Sequence, residues 1–382
     1  MITFKRTALA TASLLLCAAA QADNWSAVLV GNGYAQGLND SGVVVGNVAS
    51  GGVISGPNGA GLTPLGNLGG NSTGAQDVNN SGQVAGYATT PGNIPIHAFI
   101  TGANGTGITD LGTFGGTYSI GYGINNSGQV TGEAYLAGNS LDHAFITGAN
   151  GTGMTDLGTL GGTYSVGRRI NISGQVTGAS SITGNSSYHA FLTGANGAGM
   201  TDLGTLGGTS SYGMGLNYSG QVVGQSSLSG DSVYHAFLTG ANGAGLTDLG
   251  TLGGANSQAF DVNDAGLAVG GAMRGDGSFS AFVYGLGGAF MTDLNSLVAL
   301  NDNEYFQSGI DINNNGQILA QSNLGNMYLL SSTPVISAVP EPETYTLMLA
   351  GLGAIGFVSR RRKAEANLTS TPKDSVTLAE CA

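Results

Sequence analysis

A repeat of 46 residues constrains the fold of this chain more than any other feature. The string HAFITGANGTGITDLGTFGG begins at His97, and near-copies begin at His143, His189 and His235. An Asn-x-Ser-Gly turn or a close variant alternates with it, beginning at Asn39, Asn79, Asn125, Asn171, Asn217, Asn263 and Asn313. The chain therefore contains seven units, and a repeat of this length predicts an array of equivalent structural elements.

Each unit contains four short apolar or alternating runs separated by glycine-rich turns, which is the pattern of β-strands. In the unit that begins at Ser119 the runs are SIGYGIN, QVTGEAYL, HAFITG and MTDLG. The segments NNSG and GANG between them favour tight turns, because Asn and Gly tolerate positive φ. Four strands in about 46 residues is the size of one propeller blade. The sequence thus predicts an all-β, seven-bladed β-propeller over residues 23–333.

The two ends of the repeat array are complementary. The last unit lacks a fourth strand, and the N-terminus has a spare one, WSAVLV, from Trp25 to Val30. We expect this strand to complete the last blade and close the ring, because closure removes exposed sheet edges. The alternative is an open β-solenoid, which would need polar caps rather than complementary ends.

The composition limits the class of partner. The chain has 69 glycines and only 8% charged residues, but 41% of its residues are hydrophobic, which argues for regular turns rather than disorder. Residues 23–338 contain three arginines and seventeen acidic residues, a net charge of −14. This balance argues against a nucleic-acid partner, because phosphate binding needs Lys and Arg. The same span has no cysteine, so packing rather than disulfides must stabilise it.

Both ends of the chain predict export. Lys5 and Arg6 precede an apolar run, and a small-x-small site predicts cleavage between Ala22 and Asp23, so residues 1–22 are expected to be a signal peptide. Near the other end a linker (334–344) is followed by a hydrophobic segment with a basic cluster (345–363) and a polar tail (364–382). The apolar stretch is shorter than the about 20 residues of a membrane span. It therefore predicts only transient anchoring in the inner membrane.

The C-terminal segments resemble the PEP-CTERM sorting tail of exported bacterial proteins. The residues that carry the resemblance are Val339, Pro340, Glu341 and Pro342, an apolar stretch, and Arg360, Arg361 and Arg362. The resemblance implies recognition by an exosortase, cleavage near the Pro-Glu-Pro, and a host that makes exopolysaccharide. The polar tail 364–382 departs from the family, which normally ends just after the basic cluster.

The repeat itself resembles the extracellular HAF-repeat family, through HAF, DLGTLGG and IN-x-SGQVxG, over residues 27–330. This resemblance implies an exported repeat protein and brings no catalytic residues.

Charged residues break the repeat near the end of the first strand of each unit. Two positions before the break every unit has Ala or Gly, which suggests that this strand lies where blades crowd together at the axis. The residues at the break are Gly37, Asp77, Gly123, Arg169, Gly215, Asp261 and Asp311. We predict that Asp77, Asp261, Asp311 and Arg169, with the adjacent Arg168, surround an axial channel that could bind a cation or a sugar. In the structural alternative these charges pair with one another or with solvent.

Four tyrosines lie near the start of the first strands, at one rim of the predicted ring: Tyr118, Tyr122, Tyr164 and Tyr212. Aromatic rings at a rim suit stacking on sugar rings, although Tyr is also common in strands.

The remaining repeated polar residues favour structural roles. The HAF histidines recur on separate units, too far apart to share one metal ion, so a structural hydrogen bond is the better interpretation. The Asp of each TDLG segment is expected to accept backbone N–H groups. The Asn-x-Ser-Gly turns have too few carboxylates for calcium. We predict no metal site and no cofactor.

No enzyme signature stands out, and the chain has no H-E-x-x-H motif. The sequence predicts a non-enzymatic structural or interaction protein of the cell surface or extracellular matrix, linked to exopolysaccharide or biofilm. The near-identity of the third to fifth units favours this, since an active site usually requires one atypical unit. One alternative is a lectin-like propeller that binds a glycan or a cation. Another is a polysaccharide hydrolase or lyase, because spacing along the sequence does not show which carboxylates lie paired in space. Expected partners are an exosortase-type enzyme and exopolysaccharide.

Overall fold

The computed structural model describes residues 24–93, 95–301 and 303–333. The regular secondary structure of this part of the chain is β-strand, apart from 3-10 turns of three residues each. The predicted signal peptide (1–22), its cleavage site, the linker (334–344), the hydrophobic segment (345–363) and the polar tail (364–382) lie outside the described residues.

The strands follow the repeat. β1 is Asn24–Asn32. The first two units contain β2 (Tyr34–Leu38), β3 (Val44–Val48), β4 (Gly51–Ser55), β5 (Leu62–Pro64), β6 (Thr73–Val78), β7 (Val84–Thr89), β8 (Ile96–Ile100) and β9 (Thr109–Gly112). The next two contain β10 (Gly115–Ile124), β11 (Val130–Leu136), β12 (Asp142–Thr147), β13 (Met154–Asp156), β14 (Gly161–Ile170), β15 (Val176–Ile182), β16 (Tyr188–Thr193) and β17 (Met200–Asp202).

The last three units contain β18 (Gly207–Leu216), β19 (Val222–Leu228), β20 (Tyr234–Thr239), β21 (Leu246–Asp248), β22 (Gly253–Val262), β23 (Ala268–Arg274), β24 (Phe279–Gly285), β25 (Gly288–Asp293), β26 (Phe306–Ile312), β27 (Ile318–Ser322) and β28 (Asn326–Thr333). The 3-10 turns are Pro57–Gly59, Ala103–Gly105, Ala149–Gly151, Ala195–Gly197, Ala241–Gly243 and Leu294–Ser296.

Strands within a unit pair antiparallel in chain order, and the architecture is all-β and propeller-like. Four blades are separate four-stranded sheets: β2–β5, β18–β21, β22–β25, and β26, β27, β28 and β1 in that order. Strands β6 to β17 form one twelve-stranded sheet, in which single parallel bridges, Tyr118 to Ile96 and Asp142 to Tyr164, join three four-stranded groups. The first strand of each unit contacts the first strands of its two neighbours, and β26 contacts β2.

The N-terminal strand β1 lies beside β28. The two pair antiparallel from Asn24 opposite Thr333 to Asn32 opposite Asn326. Trp25 and Ala27 pack against the apolar cluster that contains Phe306. This strand therefore supplies the fourth strand of the last sheet.

A hydrogen-bonded asparagine holds each turn between the first and second strands. In the third unit, Asn125 Oδ1 accepts the N–H groups of Ser127 at 3.0 Å and Gln129 at 3.1 Å. The facing Ala-Asn-Gly turn packs against it, and Asn150 adopts a φ of 53° there. Its backbone N–H donates to Ser127 O at 3.1 Å. Asn suits this position because it tolerates the left-handed region better than most residues do.

The same asparagines link the units to one another. The Nδ2 of each donates to the backbone carbonyl oxygen of the equivalent residue in the next unit, at 2.9–3.2 Å, in the order Asn39, Asn79, Asn125, Asn171, Asn217, Asn263, Asn313 and back to Asn39. All seven side chains are buried. The hydrogen bonds therefore form a closed circuit that satisfies a buried polar layer.

The apolar core consists of separate clusters, each shared by two successive units. One cluster combines Ala144 and Ile146 with Ile170, Val176 and Phe191 of the next unit. The phenylalanines of the repeat are fully buried: Phe99, Phe145, Phe191, Phe237 and Phe282. Burial of a Phe side chain contributes about 1.5–3 kcal/mol. The interfaces between units, rather than one central core, therefore provide the hydrophobic stabilisation.

The first strand of every unit contains a β-bulge. The register of β10 with β11 shifts between Gly121 and Gly123, and that of β14 with β15 shifts between Gly167 and Arg169. Equivalent shifts occur in β2, β6, β18, β22 and β26. A bulge inserts an unpaired residue and redirects side chains. It thus allows two successive residues of each first strand to line the axis.

Candidate functional site

The axis of the ring is filled by side chains from the bulged first strands. Asp77, Asp261, Asp311 and Arg169 come together here, as the sequence predicts, and all but Arg169 are less than 9% exposed. Glycines at the equivalent positions make room for them. A Cβ on Gly37 would lie 2.9 Å from Asp77 Oδ1, and one on Gly215 would lie 2.6 Å from Asp261 Cα. Glycine and a charged residue therefore alternate around the axis from Gly37 to Asp261, and Asp311 follows Asp261 directly.

Each axial aspartate binds the backbone of the following unit. Asp77 Oδ2 accepts the N–H of Ile124 at 3.0 Å, and Asp311 Oδ2 accepts the N–H of Leu38 at 3.0 Å. Asp261 Oδ2 accepts the N–H of Ile312 at 3.2 Å. These carboxylates serve as acceptors for buried N–H groups beside the bulges. Their hydrogen bonds agree with the structural alternative, in which the axial charges are used within the protein.

The axial carboxyl groups titrate abnormally. Burial raises the pKa of Asp77 to about 6, although Arg169 opposes the shift. Burial and then the adjacent Asp261 carboxylate raise the pKa of Asp311 well above its usual range. Burial also raises the pKa of Asp261, which shares a side-chain hydrogen bond with Asp311. Two neighbouring buried carboxyl groups titrate as a pair, because ionising both would place two like charges side by side.

Arg169 lies between two cavities on the axis. Its Nη2 is 3.8 Å from Asp311 Oδ2, and its Nη1 donates to Tyr122 O at 3.4 Å. At the end of the axis that carries the turn asparagines lies a cavity of about 130 Å³, which we call the aspartate cavity. Its lining includes Asp40, Asp77, Asp261, Asp264 and Asp311. On the opposite side is a larger space of about 640 Å³, also lined by Arg169.

We call the larger space the tyrosine pocket, defined by Tyr122, Tyr164, Tyr188, Tyr212 and Arg168. The residue just before the charged position in every unit also lines it: Gln36, Gln76, Tyr122, Arg168, Met214, Phe260 and Ile310. Units four and five supply its paired tyrosines, where Tyr188 packs edge-on against Tyr164 with 5.5 Å between ring centroids. Tyr188 also stacks on Tyr212, with 6.0 Å between centroids and 27° between planes.

A buried carboxylate orients three of the tyrosines. Glu133, 7% exposed, accepts the hydroxyl groups of Tyr122 at 3.0 Å, Tyr164 at 3.2 Å and Tyr118 at 3.3 Å. Burial and then the charge of Glu133 raise the pKa of Tyr118 to about 12. The same causes raise the pKa values of Tyr122 and Tyr164. These phenols therefore stay neutral at physiological pH, with their protons directed at Glu133.

Arg168 stands at the edge of this cluster. Its guanidinium carbon lies 4.3 Å from the centroid of the Tyr122 ring, a cation–π contact. The residue is exposed.

The structure separates the predicted site residues into two groups. Arg168, Tyr122, Tyr164 and Tyr212 line the tyrosine pocket, whereas the three axial aspartates line the opposite cavity. Arg169 borders both, and Tyr118 contacts Glu133 and packs against Tyr135 instead of lining the pocket.

Sequence reasoning missed Tyr188, Glu133, Gln36 and Gln76. Glu133 carries a detectable signal, because the equivalent positions hold Asn47, Tyr87, Ala179, Gln225, Gly271 and Gln321 and it is the only acidic residue among them. The two glutamines reach the axis through the bulge, which the residue pattern does not reveal.

The HAF histidines form structural pairs within their own units. The Nδ1 of each lies 2.8–2.9 Å from the TDLG carboxylate, in His97–Asp110, His143–Asp156, His189–Asp202 and His235–Asp248. Each of these aspartates also accepts the N–H of the glycine two residues later at 2.7 Å. In the sixth unit Ser280 takes the place of His and donates to Asp293 at 2.7 Å.

Among the described residues, no three or more His, Cys, Asp or Glu side chains are grouped so that they could hold a metal ion. Nor does the described part of the chain contain a helix long and apolar enough to cross a bilayer.

Several solved structures resemble the fold. The putative TolB from Agrobacterium tumefaciens is 12% identical, with a TM-score of 0.44 over 56% of this chain and 79% of that one. The β-propeller domain of the Trilobed protease from Pyrococcus furiosus is 8% identical, with a TM-score of 0.48 over 76% and 91%. TolB from Acinetobacter baumannii is 8% identical, with a TM-score of 0.41 over 76% and 78%. Likenesses this distant establish nothing about activity.

A search of curated proteins finds no match to the chain. Residues 338–363 match the model of the PEP-CTERM protein-sorting motif. The predicted sorting tail is thereby confirmed, and the motif implies an exported protein with a membrane-associated C-terminal segment that an exosortase processes.

Proposed function

We propose that this chain is a non-enzymatic structural or interaction protein of the cell surface or extracellular matrix, of the HAF-repeat kind, linked to exopolysaccharide or biofilm. The observation that carries the proposal is the use of the repeated polar residues within the fold. The histidines pair with aspartates of their own units, and the turn asparagines bind the next unit. The repeat thus devotes its chemically versatile side chains to a rigid scaffold, and the sorting motif supports the export of that scaffold.

We propose further that the scaffold is a seven-bladed propeller closed by the N-terminal strand. Counting the twelve-stranded sheet as three blades gives seven. The closed circuit of asparagine hydrogen bonds and the contact of β26 with β2 support a complete ring. The pairing of β1 with β28 supports closure by the two chain ends. An open solenoid would leave its first and last units without a shared interface.

The experiment that tests the cellular role is fractionation of the producing bacterium. We expect the wild-type chain in the extracellular matrix fraction, and a Pro340→Ala/Glu341→Ala/Pro342→Ala variant in the membrane fraction. A matched control with Thr369→Ala, Ser370→Ala and Thr371→Ala in the polar tail should distribute like the wild type. The wild-type chain should release no reducing ends from the host polysaccharide. Retention of wild type inside the cell, or such release, would refute the proposal.

The alternative is a lectin-like propeller, and the tyrosine pocket favours it. The pocket offers about 640 Å³, within the range of about 300–1,000 Å³ typical of ligand sites. A cation-binding role for the axial aspartates has less support, because each already accepts backbone N–H groups and Arg169 lies beside them.

A further inference from the structure

The two ends of the axis differ sharply in charge. The aspartate cavity is lined by five aspartates and Arg169. The tyrosine pocket is lined by two arginines and no carboxylate residue. This contrast stands out because residues 23–338 contain only three arginines, against seventeen acidic residues. Two of the three arginines of this span thus line the tyrosine pocket, although Arg169 also borders the aspartate cavity.

Arg168 is the cation available to a ligand. Arg169 lies near Asp311, and Arg274 pairs with Asp293 through an Nε–Oδ2 contact of 2.9 Å. Within the described ranges Arg168 forms no ion pair and no side-chain hydrogen bond, and the residue is exposed. Its guanidinium group contacts the Tyr122 ring, and the N–H groups along its edge have no hydrogen-bonding partner among the described residues. Such an edge matches the two oxygens of a carboxylate.

Tyr188 and Tyr212 supply an aromatic surface in the same pocket as this charge. Tyr188 is 36% exposed and nearly parallel to Tyr212. The hydroxyl group of Tyr164 is directed away to Glu133. The rings of Tyr188 and Tyr212 offer apolar surface that suits the C–H face of a pyranose ring, and their hydroxyl groups have no hydrogen-bonding partner among the described residues.

Two glutamines complete the pocket. Gln36 and Gln76 line it from the first two units, and in the described part of the chain their side-chain amides have no hydrogen-bonding partner. An amide presents both donors and an acceptor, and sugar hydroxyl groups can bind both.

We propose that the tyrosine pocket binds a carboxylate-bearing glycan, with Arg168 on the carboxylate, Tyr188 and Tyr212 on the sugar face, and Gln36 and Gln76 on hydroxyl groups. This inference rests on the proposed interaction role and names the ligand class of its binding alternative. A neutral glycan would leave Arg168 unused. A nucleic acid would meet a net charge of −14 on residues 23–338 with one unpaired cation.

The test is calorimetric titration of the full chain with tetragalacturonate and with its methyl ester, which keeps the rings and removes the charge. The producer's exopolysaccharide is tested in native and carboxyl-reduced form. We expect saturable binding of an acidic form and about 10- to 100-fold weaker binding of its neutralised counterpart, the effect of one hydrogen-bonded charge.

Two variants locate the site. Arg168→Gln should weaken binding of the acidic form about 10- to 100-fold and leave the neutral form unchanged. Tyr188→Ala should weaken both forms about tenfold. Tyr234→Ala is the matched control, because Tyr234 precedes His235 as Tyr188 precedes His189 but does not line the pocket. Thermal unfolding verifies that each variant is folded.

The inference is overturned if neither acidic form binds, if acid and neutral forms bind equally, or if Arg168→Gln and Tyr188→Ala bind like Tyr234→Ala. Tight binding of an acidic peptide instead of every glycan would also overturn it. Matrix fractionation of the same variants separates this failure from failure of the proposed function. A chain that still reaches the matrix but binds no acidic glycan keeps its scaffold role and loses the pocket ligand.

Discussion

Asn313 donates a 2.9 Å hydrogen bond from its side-chain amide to the backbone carbonyl oxygen of Asn39, 274 residues earlier in the chain. The bond has the same form as the six bonds between successive units. The first and last units are therefore adjacent in the same way as two successive units. The side chain of each asparagine also holds its own turn, so local and long-range order depend on the same residue.

Replacing one of these asparagines should weaken both its own turn and its contact with the next unit. Asn171→Ala removes the bond to Asn217 O and leaves the N–H groups of Ser173 and Gln175 without their acceptor. We expect the free energy of unfolding to fall by about 2–4 kcal/mol, because buried polar groups lose their partners. Urea denaturation measures it. Ile172→Ala, at the adjacent exposed position, should change it by less than about 0.5 kcal/mol, and equal effects would contradict the prediction.

Pairing of the chain ends can be trapped covalently. Ser26 lies opposite Ser331 in the β1–β28 ladder, and facing residues of antiparallel strands have Cα atoms about 4.5–5.5 Å apart, which suits a disulfide. With Cys17 and Cys381 replaced by Ser, we expect Ser26→Cys/Ser331→Cys to cross-link under mild oxidation, as mass spectrometry of the folded chain would show. Ser26→Cys/Ser278→Cys, which joins different sheets, should not. Failure of the first pair would argue against closure by β1.

The axial aspartates predict an unusual dependence of stability on pH. The folded state raises the pKa of Asp77 from 3.8 to about 6, so between these values the folded chain binds more protons than the unfolded chain. The contribution of Asp77 to the free energy of unfolding is thus largest below pH 3.8 and is lost as pH rises through 6. At most it amounts to about 3 kcal/mol.

Asp77→Asn should remove this part of the pH dependence, so that the variant gains on the wild type between pH 4 and 7. Denaturation at several pH values measures the difference. The control is Asp276→Asn. The hydrogen bond from Ser278 lowers the pKa of the exposed Asp276, so this substitution should change the pH dependence of unfolding only below pH 4. Parallel curves for wild type and Asp77→Asn would refute the assignment.

Crowding at the axis makes one glycine indispensable. The Cβ of Gly215→Ala would lie 2.6 Å from Asp261 Cα and 2.9 Å from Phe260 O, which are backbone atoms of the next unit. We expect the free energy of unfolding to fall by about 1–3 kcal/mol or more, because the backbone there cannot shift freely. Gly275→Ala, whose Cβ would have its nearest neighbour at 3.7 Å, should be within about 0.5 kcal/mol of wild type. Thermal unfolding compares them, and similar values would disprove crowding.

Much of the fold was predictable because the same pattern of apolar, turn and small residues recurs in several units. The run from Ser119 to Asn125, the turn at Asn125 and the buried Phe145 recur every 46 residues in the central units, so each strand is specified by several copies. The small residues before the axial position predicted where units crowd. The sorting motif was readable because its order of Pro-Glu-Pro, apolar stretch and arginines is local in sequence.

The candidate site was only partly predictable. Tyr122, Tyr164 and Tyr212 were recognised as rim residues, but Tyr188 comes from a third strand and meets Tyr212 only when two units pack together. Glu133 faces Tyr164 of the next unit, which no spacing rule predicts. The expected ring of axial charges was divided into two cavities by Arg169.

By itself the sequence determined the repeat, its strands, the buried apolar positions and the C-terminal sorting motif, because these depend on periodicity and on residues close together in the chain. The tertiary structure alone decided which side chains share a cavity. The bulge in each first strand turns an extra residue toward the axis, and packing between units brings Arg168, Tyr188 and Gln36 to one pocket. Local residue patterns cannot contain that information, because it arises from the geometry of whole units packed around an axis.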